Sequence, residues 1–292
     1  MKNKNSDLIS IIENSMEKFS KGQKLIANFI INHYDKASFM TAAKLGAEVG
    51  VSESTVVRFA NEIGFEGYPM LQKELGKLVK SKLTPTQRME ISSRRIKDSN
   101  ILKSVLLSDM DKIKITLEEI DTKSFDNVVE SILNAKRIYI LGVRSSAPLA
   151  SFLGFYFNLI FNNVRLVHTT SVSETFEQII YASKGDVVIG ISFPRYSMRT
   201  INAMKFAKKQ GATVIAITDS NDSPLTENSH HTLTARSDMA SFVDSLVAPL
   251  SVLNALIVAI AMRKKEHVYN VFQNLEEIWD EYGVYEKNDK NA

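Results

Sequence analysis

Three short stretches concentrate the side chains that could do chemistry, and each pairs hydroxyls with an arginine. The first is Ser52, Glu53, Ser54, Thr55 and Arg58; the second is Gly142, Arg144, Ser145 and Ser146; the third is Ser192, Arg195 and Ser197. Hydroxyls beside a forked guanidinium suit recognition by hydrogen bonding. At helical spacing, Glu53, Ser54, Thr55 and Arg58 crowd the start and outer side of one helix, where side chains can meet base edges in a DNA major groove. Lys44 and Lys73 are candidates for phosphate contacts. The other two stretches each precede a helical run. Backbone N–H groups, serine hydroxyls and a forked guanidinium at such a place bind phosphate or carboxylate, although a serine before a helix also serves as an ordinary N-cap.

Other chemistries have little to stand on. The chain has no cysteine, which excludes a disulfide framework, thiol catalysis and Cys-ligated zinc, and it suits a reducing cytoplasm. Histidines at 33, 168, 230, 231 and 267 show no metal-ligand spacing, so no metal and no cofactor is expected. An aldose–ketose isomerase needs a general base at the sugar C1 and C2, and Glu174, Glu177, His230 and His231 are the candidates. Lone carboxylates on a helix are mostly solvated, and adjacent strand histidines face opposite ways, so no catalytic residue is assigned.

The elements that must position these residues come in two textures. From Thr41 to Phe65, Thr41 is an N-cap, Ala42, Leu45 and Val49 form an apolar stripe, Gly50 stops the helix, and Ser52 caps the next. Val56, Phe59, Ala60 and Ile63 face inward from that second helix, and Gly64 closes the unit. This spacing fits a helix-turn-helix and also an ordinary helical hairpin. Supporting helices are expected at 6–16, from Ser20 through Leu25, Ile26, Phe29, Ile30 and Tyr34, and at 68–79 with Met70, Leu71, Leu75 and Leu78 inward. Long helices follow at 101–120 and 125–134. From Ala135, β-rich runs at 137–141, 164–168, 186–192, 213–218 and 231–235 alternate with helical runs at 147–161, 172–182 and 198–210. Such alternation predicts a parallel three-layer α/β sandwich, followed by helices at 241–262 and 266–282. The first of these is apolar nearly all round, which suits a buried or subunit-interface element.

Length and charge place the boundary between the textures. At 292 residues, 44% hydrophobic and 24% charged, the chain has the makings of two cored domains. Residues 1–99 hold 16 Lys+Arg against 11 Asp+Glu, and residues 100–292 hold 20 against 22, so the basic end is the helical end. Lys73, Lys77, Lys80, Lys82, Arg88, Arg94, Arg95 and Lys97 form a dense basic run around Pro85. It reads either as a phosphate-contacting segment or as a solvated linker. Domains are therefore expected at 1–80 and 100–292 with a linker at 81–99. The N-terminal stretch lacks the apolar run of a signal peptide and no segment offers some 18 uninterrupted apolar residues, so a cytoplasmic location away from any membrane is expected.

The run VSESTVVRFANEIGFEGYPMLQKEL resembles the DNA-binding domain of the RpiR family of bacterial transcription regulators, whose pattern is vSxaTvvRfxxxlGfxGfxxl. Val51, Ser52, Thr55, Val56, Val57, Arg58, Phe59, Gly64, Phe65, Gly67, Tyr68 and Leu71 stand at its positions. Residues 125–262 are similar to a SIS (sugar isomerase) domain, which in that family follows the DNA-binding domain and senses a sugar phosphate or related metabolite. Gly142 and Ser146 match the ends of its GxGxS loop, and Ser192 and Ser197 the ends of its SxSGxT loop. Arg144 replaces the second glycine of the first loop, and Pro194 and Arg195 stand for Ser and Gly in the second. The resemblance implies a regulator of carbohydrate metabolism genes, read as a repressor, that binds operator DNA as a homodimer or homotetramer assembled through its SIS domain. The altered loops imply an effector that is a sugar phosphate, a sugar acid or a polyol. The alternative is a SIS-domain isomerase or carbohydrate-derivative-binding protein.

Overall fold

The computed structural model of the chain describes residues 8–82, 86, 89, 100–169, 171–238 and 243–285. Two compact units divide it, Met1–Ile91 and Ser92–Ala292. The linker expected at 81–99 lies almost wholly outside the described residues, and of the basic run only Lys73 has a described side chain.

The first unit is all-α: α1 (Leu8–Ser15), α2 (Lys21–Ala37), α3 (Ala42–Val49), α4 (Glu53–Glu62) and α5 (Tyr68–Lys82). A full capping box starts α2, with Ser20 and Gln23 exchanging side-chain and backbone hydrogen bonds. One core holds the five helices together, built on Ile12, Ile26, Ile30, Leu45, Phe59, Leu71 and Leu75. Two residues expected to face it do not: Leu25 is 46% and Met70 48% exposed. The stripes are instead Ile26, Ala27 and Ile30 on α2, and Leu71, Leu75 and Leu78 on α5, each one step along from the outward residue. Tyr68 locks α5 to the turn after α2, its buried hydroxyl donating to the Met40 carbonyl at 2.8 Å. Burial pushes that phenol up to about 12.

The second unit opens with α6 (Ile101–Glu119) and α7 (Thr122–Leu133) and continues as a five-stranded parallel sheet. Its strands are β1 (Ile138–Gly142), β2 (Val164–Val167), β3 (Val187–Ile191), β4 (Thr213–Thr218) and β5 (His231–Thr234), in the order β2-β1-β3-β4-β5. Strands β1 and β3 are buried along their whole length, as the central strands of a sheet covered on both faces must be. Ile138, Ile140, Val187, Ile189 and Ile191 pack one face against α7, α8 (Ala147–Ile160) and α11 (Val247–Arg263). Tyr139, Leu141, Val188, Val214 and Ala216 pack the other against α9 (Val172–Ile179) and α10 (Met198–Lys209). The result is the three-layer sandwich that the alternation predicts.

Two departures have local causes. Helix α11 starts at Val247 rather than near 241, because the segment ahead of it is held against α6, where Ser245 donates to Asp109 at 2.6 Å. Helix α6 buries only Lys112 and Thr116, leaving Leu102 (74% exposed) and Leu117 (75%) with Leu106, Met110 and Ile113 outward in the unit as described. The chain then bends by 98° between α11 and the final helix α12 (Lys265–Glu281), and no single described helix is long and apolar enough to cross a membrane.

Candidate functional site

In the first unit, capping places α4, the candidate reading helix. Thr41 Oγ1 accepts from the Lys44 amide at 3.3 Å to start α3. Gly50 ends that helix with φ +76°, a left-handed conformation that a side chain would strain. Ser52 Oγ then accepts from the Thr55 amide and also meets the hydroxyls of Ser54 and Thr55. With Val56, Phe59 and Ala60 buried, Glu53, Ser54 and Arg58 are left on the outer side of α4. Thr55 departs from the expectation, since it is half-buried, its methyl lying against Gly22 of α2. Arg58 runs back along its own helix, donating to the Ser54 carbonyl at 3.3 Å and to Thr55 Oγ1 at 3.4 Å. Lys44 and Lys73 are exposed.

Gly46, which spacing alone does not single out, sets the angle between α3 and α4. A Cβ there would lie 2.7 Å from the Val51 carbonyl oxygen, so only glycine permits the close approach. Between α2 and the start of α4 lies a polar cleft of about 520 Å³ lined by Ser20, Gly22, Gln23, Val51, Ser52, Thr55 and Arg58. The capped N-termini of α2 and α4 therefore converge beside a guanidinium. The capping box at Ser20 is legible in sequence; its nearness to Ser52 is a tertiary fact.

In the second unit, Gly142 and Ile191 are register partners on the adjacent strands β1 and β3, so the two serine–arginine loops leave the sheet side by side. The chain leaves β1 for β2 on one side and β3 for β4 on the other. Their carboxyl ends thus form the switch point where open α/β sheets hold ligands. Gly142 is packed under the first loop, where a Cβ would lie 2.6 Å from the Ser146 carbonyl oxygen. Ser145 is exposed, and Ser146 is buried with a side chain that makes no capping bond. In the second loop, Ser192 Oγ accepts from the Ser197 amide at 3.0 Å, and Ser197 Oγ accepts from the Thr200 amide. Each of those two hydroxyls uses its oxygen and keeps its proton to donate. Tyr196 fixes the same loop by donating to Asp219 at 2.7 Å; burial and that carboxylate hold the phenol far above its ordinary value.

Arg144 and Arg195 share an unusual backbone. Among the described residues they are the non-glycine residues with positive φ, at 55° and 64°. The GxGxS and SxSGxT patterns have glycine at both positions, so the left-handed turn is kept although the glycine is lost. Sequence reasoning marks the replacement but not the retained turn, because a side-chain change does not reveal φ.

The candidates for isomerase chemistry do not form an acid–base pair. Glu174 accepts the Thr169 hydroxyl in the first turn of α9, where Ser171 caps its amide. His230 Nδ1 accepts from the Val214 amide at 2.9 Å; burial and the nearby Lys208 hold its pKa below the usual histidine value. Among the described residues, no group of three His, Cys, Asp or Glu could hold a metal ion.

Comparison with known proteins follows the same division. The helix-turn-helix domain of the rpiR family matches residues 6–82, and the SIS domain matches residues 131–259. An uncharacterized HTH-type transcriptional regulator of Haemophilus influenzae is 26% identical over 290 residues, covering 91% of this chain and 93% of that one. A second from Clostridium perfringens is 26% identical, covering 78% and 81%. The Vibrio vulnificus NanR protein, solved with ManNAc-6P, shares the fold over 94% of this chain and 98% of its own, with TM-score 0.56 and 22% identity. The sugar isomerase domain of an RpiR transcription factor from Sphaerobacter thermophilus covers 59% of this chain and 96% of its own, with TM-score 0.56 and 26% identity. With a rpiR-family helix-turn-helix followed by a SIS domain, and regulators rather than enzymes as its long-range relatives, this chain is a DNA-binding transcription regulator of the RpiR/MurR architecture.

Proposed function

We propose that this regulator controls carbohydrate metabolism genes, as a repressor, and that a sugar phosphate, sugar acid or polyol bound between the β1 and β3 loops switches its hold on operator DNA. The observation that carries this reading is the pair of hydroxyl- and arginine-bearing loops at the switch point of the sheet, in a chain that begins with a reading helix. The sugar phosphate held by the NanR protein, which shares the fold, favours the same ligand class here.

On the DNA, Glu53, Ser54 and Arg58 face the bases, while Ser52 orders the start of their helix and the half-buried Thr55 braces it against α2 and accepts from Arg58. Lys44 and Lys73 meet phosphates, and the cleft between the N-termini of α2 and α4 seats another phosphate beside Arg58, where amides and guanidinium favour an anion. On the effector, Gly142 keeps the first loop close to the strand end while Arg144, Ser145, Ser146, Ser192, Arg195 and Ser197 supply donors. The working division is 1–80 for DNA, 81–99 as hinge and 100–292 for sensing, in the cytoplasm. Subunits pair through the SIS domain, for which the outward apolar stripe of α6 is support. Because a ligand moves an equilibrium only by its differential affinity, effector must bind the DNA-competent and incompetent arrangements unequally.

Fluorescence anisotropy on the protein's own upstream DNA tests the DNA half. Arg58→Ala is expected to weaken binding by about 1–3 kcal/mol and to relax specificity, whereas Lys73→Ala weakens all sequences alike and lowers the salt slope by about one. An Arg58→Ala protein that binds the upstream fragment as tightly as the parent removes Arg58 from the interface.

A further inference from the structure

We infer that the effector of this regulator carries two separate anionic groups, a phosphate together with a second phosphate or a carboxylate, and that Arg144 and Arg195 each claim one of them. This rests on the effector site proposed above and narrows its ligand from three classes to one.

The charge inventory of the crevice is lopsided. Among the described residues neither Arg144 nor Arg195 has a hydrogen-bond or ion-pair partner, and both are exposed. The other described arginines of this unit are engaged: Arg137 with Asp186, Arg199 with the Thr169 carbonyl, Arg236 with Glu119, Arg263 with Glu130, and Arg165 against the Tyr139 ring. Two carboxylates that follow strands β4 and β2, at the same end of the sheet, are taken as well, Asp219 by Tyr196 and Thr218, and Glu174 by Thr169. Two positive charges therefore stand at adjacent strand ends with no protein anion against them. The hydroxyls of Ser192 and Ser197 add donors, since their oxygens already accept backbone amides.

A polyol gives these guanidinium groups no charge to pair with, and a monophosphate offers a single anionic group to two loops. Two anionic groups on one carbohydrate satisfy both. The backbone points the same way. A non-glycine residue at φ 55° or 64° is held in a sparsely populated conformation, and the strain recurs at the matching position of both loops. Glycine would relieve that strain; an arginine retained in each loop supplies what glycine cannot, a forked donor for a planar or tetrahedral anion.

Isothermal titration of the full chain decides the matter, with fructose 1,6-bisphosphate and 6-phosphogluconate set against fructose 6-phosphate, gluconate and sorbitol. At least one of the two doubly anionic probes is expected to bind about 10- to 100-fold tighter than every probe with one anionic group or none. Arg144→Gly and Arg195→Gly are each expected to lose that preference while melting at or above the parental Tm, since glycine suits the turn; retained stability separates lost binding from misfolding. Ser197→Ala tests the site itself. Should fructose 6-phosphate bind as well as the doubly anionic probes, unaffected by either glycine substitution but weakened by Ser197→Ala, the two-anion inference falls and the effector site stands. Should no probe bind, or should binding ignore all three substitutions, both fall together.

Discussion

At the scale of single residues, close approach and backbone conformation matter more than side-chain identity. Gly46 lets α3 come within contact of the turn before α4, whereas Gly76 in α5 has nothing within 4 Å of its would-be Cβ. Gly46→Ala is therefore expected to destabilise the first unit by about 1–3 kcal/mol, and Gly76→Ala to stabilise it by up to about 1 kcal/mol, in denaturant melts followed by a probe in that unit. Equal effects from the two would refute the role given to Gly46. A pH effect belongs to His230, whose pKa is lowered by burial and then by Lys208. The unfolded chain takes up that proton first, so stability is held above the ordinary histidine pKa of about 6.5 and falls as pH drops below it. In melts across this range His230→Asn, which keeps an acceptor for the Val214 amide, is expected to flatten the fall; an unchanged profile removes His230 as its source.

At the scale of elements, the proposed function divides the sheet into an end for stability and an end for recognition. At the amino ends of β1 and β3, Arg137 holds the buried Asp186 through two hydrogen bonds of 2.7 and 3.1 Å, and Asp186 also accepts from the Ser183 amide. Arg137→Met leaves that carboxylate without its cation. Allowing for screening of the half-exposed guanidinium, a loss of about 2–4 kcal/mol is expected in thermal or urea melts, with effector affinity changed by less than roughly twofold because the loops lie at the other end of the strands. A large affinity change with intact stability would contradict the division. The strands and most helices of this unit were legible because alternating β-rich and helical runs with capping serines, such as Ser171 and Ser197, mark ends locally. The start of α11 was not, since a contact with α6 more than a hundred residues earlier sets it. Likewise Leu25 and Met70 fit the helical period yet face outward, because periodicity fixes which residues share a face and the neighbouring helices decide how wide the buried face is. The site residues were legible as types and spacing; the left-handed turns of Arg144 and Arg195 and the cleft joining Ser20 to Ser52 arise only on folding.

At the scale of the whole molecule, the account joins a reading helix to a sensing crevice through subunit pairing. Leu106 and Leu117 lie on the outward stripe of α6 and take no part in the described core of their unit. Leu106→Glu with Leu117→Glu is expected to yield a folded, dissociated chain by sedimentation velocity, with DNA binding weakened because two half-sites are no longer held together. Unchanged association would place the interface elsewhere. The most direct test of the central claim is binding of the intact protein to its own upstream DNA across a salt series, with and without the carbohydrate probes. The account predicts preference for that fragment over random DNA, affinity that falls linearly with the logarithm of salt, and a shift on adding one carbohydrate class. No preference for upstream over random DNA at any salt concentration, with or without the probes, would contradict it.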